Sequence, residues 1–184
     1  MSRLALIPTA LLALVLAGCG TPSQPLPMAV TPADALQIRG WVPEALRQQV
    51  GVAAVKGGEA TGRWWGSRVS ALALQQALEE SLHAVGMRPD APEPAPRFEL
   101  QAELLQLEQP QVPAVGVTVG TAVRYTLVDK ASGKAVYQRR IANTDEAGFT
   151  EAVVSPSERL RIANERALRA NISLMLRDLV TLRP

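Results

Sequence analysis

The chain has 184 residues, 47% of them apolar and 20% charged, with a formal net charge of +2. That apolar share excludes a disordered polyelectrolyte, and the near-balanced charge gives no electrostatic footprint for nucleic acid. The single cysteine, Cys19, excludes an internal disulfide framework.

The first element is a secretory signal over residues 1–18. Arg3 supplies the positive start, an apolar stretch from Leu4 to Leu16 follows, and small residues precede the cut. The stretch is shorter than the roughly 20 apolar residues of a membrane-spanning helix. The run Leu16-Ala17-Gly18-Cys19 resembles the lipobox of bacterial lipoproteins. That resemblance implies acylation of Cys19, which becomes the mature N-terminus and anchors the chain to a membrane. An aspartate after the cysteine commonly retains such proteins in the inner membrane. Here the residue is Gly20, so the expected location is the outer membrane, facing the periplasm.

Residues 19–33 are expected to form an acylated tether. Pro22, Pro25, Pro27 and Pro32 favour extended polyproline II geometry, which holds the domain away from the bilayer. A single domain is expected over residues 34–184. Leu36-Gln37-Ile38 reads as a short strand, and Pro43 opens a helical turn. Residues 50–55 form a short apolar run, the pattern of a buried strand, ended by Gly57-Gly58.

Ala71, Leu74, Leu78, Leu82 and Val85 recur at spacings of three and four and predict a helix. Ser67 or Ser70 caps its start, and Gly86 stands at its end. Four prolines between residues 87 and 97 mark a loop. Phe98, Leu100, Ala102 and Leu104 alternate with polar residues as a half-buried strand. The phase then flips at Leu105 and Leu107, which predicts a bulge. Val115, Val117, Val119, Val123, Tyr125 and Leu127 mark one face of a long strand. Ser132-Gly133 reads as a hairpin loop, and the more polar returning strand as one near an edge. The last helix is predicted from about residue 157 to 180. Its apolar arc comprises Leu160, Ala163, Ala167, Leu168, Ile172, Met175 and Leu179, with Arg159, Arg166, Arg169 and Arg177 on the other, solvated side. The order β-α-β-β-β-α predicts an α+β two-layer sandwich, with a mostly antiparallel sheet and two helices on one face.

Several residues compete as sites. The loop from Gly57 to Trp64 has P-loop glycine spacing, but Arg63 and Trp64 stand where phosphate and magnesium chemistry needs lysine and a hydroxyl. Trp64 and Trp65 cannot easily both point inward. Beside Arg63 they have the composition of a partner-binding hot spot, or else they cover the sheet edge. His83 is the only histidine and lacks companions for a metal site. Glu99 and Glu103 alternate on a strand, as a solvated face does. Asn164, Asn171 and Asp178 lie seven apart, near the middle of the apolar arc. Buried amides need partners, so Asn164 and Asn171 either bond to loop or strand-end backbone or form a partner-facing seam. No catalytic residues, cofactor or metal ligands are expected, and the chain is read as a non-enzyme. It lacks a nucleophile–base pair, a nucleotide fingerprint and a hexapeptide repeat.

The runs Lys56-Gly57-Gly58, Ser67-Arg68-Val69-Ser70, Tyr125-Thr126-Leu127-Val128-Asp129 and Arg159-Leu160-Arg161-Ile162-Ala163-Asn164-Glu165 resemble a group of proteobacterial envelope lipoproteins. At fold level the element order is similar to the N-terminal domain of TolB and to CsgG-like lipoprotein domains. The resemblance implies an accessory or assembly role through contacts with an envelope protein. The auxiliary lipoproteins of lipid-transport ABC systems have a comparable order, which implies lipid or lipopolysaccharide handling as the alternative.

Overall fold

In a computed structural model, residues 22–58, 67, 69–91, 94–110, 116–148 and 155–183 are described. The order is α1 (Pro25–Met28), α2 (Pro32–Arg39), a 3₁₀ turn (Glu44–Leu46), β1 (Val50–Val52), β2 (Lys56–Gly57), α3 (Ala71–Ala84), β3 (Phe98–Glu108), β4 (Val117–Asp129), β5 (Lys134–Ala147) and α4 (Pro156–Leu179). The fold is α+β: a five-stranded, mostly antiparallel sheet with helices packed against it.

The sheet follows the order β1-β3-β4-β5, and β2 pairs with β3 further along the β1 edge. β1 and β2 run parallel to β3, because α3 returns the chain before β3 begins. β3, β4 and β5 are antiparallel neighbours. The predicted bulge lies at Leu105, where the β3–β4 register shifts between Leu104 and Gln106. β5 is the edge strand, as its polarity indicated.

The helix-facing side of β4 carries Val117, Val119, Val123, Tyr125 and Leu127, all at most 2% exposed. Leu74, Leu78 and Leu82 of α3 and Leu168, Ile172, Met175 and Leu179 of α4 close over them. Leu160, Ala163 and Ala167 seal the other end against Val117 and Val119. The Ser70 hydroxyl caps α3 by accepting from the Ala73 N–H, and the Ser155 hydroxyl caps α4 by accepting from the Glu158 N–H. Gly86 follows α3 at φ +78°, the left-handed conformation that glycine adopts without a Cβ penalty. Gly57 has a stricter requirement: at φ +77° an added Cβ would lie 2.3 Å from the Leu104 carbonyl oxygen.

The amino-terminal segment departs from expectation. Residues 22–33 are not an extended tether; α1 and α2 lie as an outer layer over α3 and α4. Met28 is fully buried, and Ala29 and Val30 nearly so. The prolines act as helix openers here: Pro25 and Pro32 occupy first-turn positions, where a missing N–H costs nothing. For the same reason Leu36-Gln37-Ile38 is helical, because the Thr31 hydroxyl accepts from the Asp34 N–H and starts α2. The α4 arginines are correspondingly not one solvated face. Arg159 is buried, and Arg169 Nε donates to the Pro27 carbonyl at 2.8 Å.

Candidate functional site

A seven-residue spacing on an α-helix advances each residue about 20° short of two full turns. Asn164, Asn171 and Asp178 therefore form one seam along α4, and that seam faces the sheet. Asn164 and Asn171 are fully buried, so the partner-facing expectation gives way to an internal one. The bonds also differ from the expected capping of loops, because the partners are mainly side chains on the strands.

At the carboxyl end, Asp178 accepts from the Tyr137 hydroxyl at 2.7 Å and from Arg139 at 2.6 Å. In the middle, Asn171 is fully bonded. Its Oδ1 accepts from the Tyr125 hydroxyl at 2.9 Å, and its Nδ2 donates to the Ile141 carbonyl at 3.0 Å and to Asn143 Oδ1 at 2.7 Å. Asn143 in turn donates to the Ala167 carbonyl of α4 and accepts from the Thr121 hydroxyl. Helix and edge strand are thus stitched by a closed network, which offsets the cost of burying these groups. Burial pushes the Tyr125 phenol far above its ordinary pKa, and burial with the Asp178 carboxylate does the same to Tyr137. Both phenols remain neutral donors.

The amino end is different. Asn164 Oδ1 accepts from Gln109 Nε2 at 3.0 Å, while its buried Nδ2 has no acceptor among the described residues. Gln109 Nε2 also donates to the Ser67 carbonyl at 3.1 Å. Ser67, 1% exposed, shares a hydrogen bond with Ser23. One residue from Ser23, the Gln24 N–H donates to Glu165 at 2.8 Å. Arg161 bridges Glu158 and Glu165, which draws its pKa upward and holds the Glu158 carboxyl below the usual range. Here the amino-terminal segment, Ser67, Gln109 and the first half of α4 meet. This convergence, with a buried donor that has no acceptor among the described residues, is the candidate site.

Cys19, Arg63, Trp64 and Trp65 lie outside the described residues, as does most of the glycine-spaced loop. Ser67, the next described residue after Gly58, is joined to Asn164 through Gln109. Asn171 lies one heptad away and belongs to the closed network. His83 is exposed and 3.0 Å from Asp90, on the wall of an open cleft of about 590 Å³ that Glu79, Glu80 and Arg88 also line. No group of three or more His, Cys, Asp or Glu side chains suited to a metal ion occurs among the described residues. Glu103 pairs with Arg124 at 2.6 Å across the open face of the sheet, and Glu99 accepts from Gln101 there. Sequence reasoning missed Gln109, Asn143 and Glu165. Gln109 follows a strand that Pro110 ends, a position where a polar side chain can turn back to a helix. Asn143 sat unnoticed among other polar residues of an edge strand.

No family model and no curated protein matches the chain. Solved structures do match. A "putative lipoprotein" from Caulobacter crescentus superposes with a TM-score of 0.53 at 13% identity, over 79% of this chain and 93% of the other. Protein XCC0632 from Xanthomonas campestris, of family-model DUF330, gives a TM-score of 0.55 at 12% identity, over 76% and 90%. At these identities the likeness is one of fold. About three quarters of the chain therefore shares its fold with these two proteins, the first of which is described as a putative lipoprotein.

Proposed function

We propose that the chain is an envelope lipoprotein, acylated on Cys19 and held at the periplasmic face of the outer membrane. Its domain serves as a non-enzymatic accessory or assembly factor through contacts with an envelope protein. The observation that carries the reading is the lone cysteine at the end of Leu16-Ala17-Gly18-Cys19, four residues before Ser23 enters the fold. The fold likeness to lipoproteins supports it. Gly20, rather than an aspartate, supports the outer-membrane assignment.

The partner contact is assigned to Arg63, Trp64 and Trp65, which lie close in sequence to Ser67. Tryptophan and arginine are over-represented among residues that carry interface energy. The lipid-handling alternative calls for a groove between helices and sheet. Leu74, Leu78, Tyr125 and Ile172 fill that layer, which favours the contact reading.

Intact mass of the protein extracted from membranes tests the anchor. An acylated Cys19 at the mature N-terminus is expected, with the Cys19→Ser variant in the soluble fraction. An unmodified cysteine on membrane-associated protein would overturn the reading.

A further inference from the structure

Six large apolar side chains are conspicuously exposed among the described residues, and five of them lie on the helices or the turn after α2. Three belong to the short amino-terminal stretch: Leu26 in α1 and Leu36 in α2, each 72% exposed, and Trp41 just after α2, 76% exposed. Single exposed leucines are ordinary. What distinguishes these is their place. α1 and α2 rest on α3 and α4, so they form the outermost layer on the helical side of the molecule. Their inward residues, Met28, Ala35 and Ile38, are buried, which turns Leu26 and Leu36 outward. Arg39 is also exposed on α2.

The second observation is the length of chain between anchor and fold. Ser23 is buried and bonded to Ser67, and the Gln24 N–H is bonded to Glu165. Three residues lie between Cys19 and Ser23, and the four steps of a fully extended chain span at most about 14 Å. That reach is about half the roughly 30 Å hydrocarbon thickness of a bilayer. A domain held so closely, with the first layer of its fold beside the anchor, has the membrane within reach of that layer. Tryptophan and leucine at such a boundary place apolar surface among acyl chains, with the indole at headgroup level. An exposed arginine beside them meets anionic headgroups favourably.

We propose that the outer helical layer bearing Leu26, Leu36 and Trp41 is a bilayer-contact face, on which the domain lies against the membrane rather than standing off it. The inference rests on acylation of Cys19. It turns the open face of the sheet, with Glu103 and Arg124, toward the periplasm, and sets the Asn164 end next to the anchor.

The test uses acylated mature protein in which Trp64→Phe and Trp65→Phe leave Trp41 as the only indole. The protein is reconstituted into vesicles of phosphatidylethanolamine and phosphatidylglycerol, with and without brominated acyl chains. Trp41 emission is expected to shift to shorter wavelength on vesicles and to lose most of its intensity with brominated lipid. Hydrogen exchange of the unsubstituted acylated protein gives a second readout: residues 25–41 should be protected on vesicles while β5 is unchanged. Protein that floats with vesicles and carries its acyl chains, yet shows neither quenching nor protection, would overturn the contact face and leave the anchor standing. Protein that fails to float and has an unmodified Cys19 would overturn both.

Discussion

Asn171 and Asn164 are the same residue type, one heptad apart on the same helix and equally buried, yet they are bonded differently. Asn171 uses both hydrogens and its oxygen, tying α4 to Tyr125, Asn143 and the edge carbonyl of Ile141. Asn164 uses its oxygen alone, leaving a buried N–H₂ without an acceptor among the described residues. An unmade buried hydrogen bond costs roughly 1–3 kcal/mol. The closed node therefore ties helix to sheet, whereas at the other node the described residues supply a single bond. Burial alone does not separate the two; completeness of bonding does.

The comparison breaks most visibly at Asn171. Asn171→Ala strands the Tyr125 hydroxyl and Asn143 and opens a cavity, and should destabilise the domain by about 3 kcal/mol, read from the urea midpoint at unchanged slope. Tyr125→Phe removes one donor and leaves Asn171 Oδ1 unpaired; about 1.5 kcal/mol is expected from the same measurement. Asn164→Ala should cost no more than about 1 kcal/mol, because only the Gln109 bond is lost and Gln109 keeps the Ser67 carbonyl. A cost at Asn164 equal to that at Asn171 would erase the distinction.

The smallest effect lies far from the seam, at Arg97 and Asp129, which pair at 2.7 Å. The Arg97 hydrogen bond, with help from the Ala131 N–H, holds the Asp129 carboxyl below the usual range. A depressed carboxylate stabilises the fold fully above the ordinary aspartate value of about 3.9 and loses that contribution as pH falls toward the folded-state value. Arg97→Gln should therefore lower stability slightly near neutral pH and flatten the acid limb of the stability curve below about pH 4. An acid limb identical to that of the unsubstituted protein would contradict this.

Much of the sheet and both long helices were legible in the sequence, because their apolar periods of 2.0 and 3.6 agree with their burial. The bulge after Leu104 was legible for the same reason: a phase flip in an alternating strand leaves one residue unpaired. The amino-terminal layer was not legible. Proline is compatible both with an extended tether and with the first turn of a helix, and only the hydroxyl of Thr31 and the burial of Met28 decide between them. The arginine side of α4 misled in the same way. A row of cations looks solvated until another segment, here at Pro27, brings a carbonyl to it, which accepts from Arg169. The asparagine seam could be seen as unusual, but not assigned. Its partners lie 28 to 55 residues away in sequence, so no local pattern holds both ends.

Photo-crosslinking from position 64 in living cells bears most directly on the function. A photoreactive amino acid replaces Trp64 in the full chain, with acylation at Cys19 and folding checked on the same sample. The account predicts a discrete protein adduct, identifiable by mass spectrometry and weakened when Arg63 is also replaced by alanine. A glycolipid adduct alone, or no adduct from a folded and acylated protein, would contradict it.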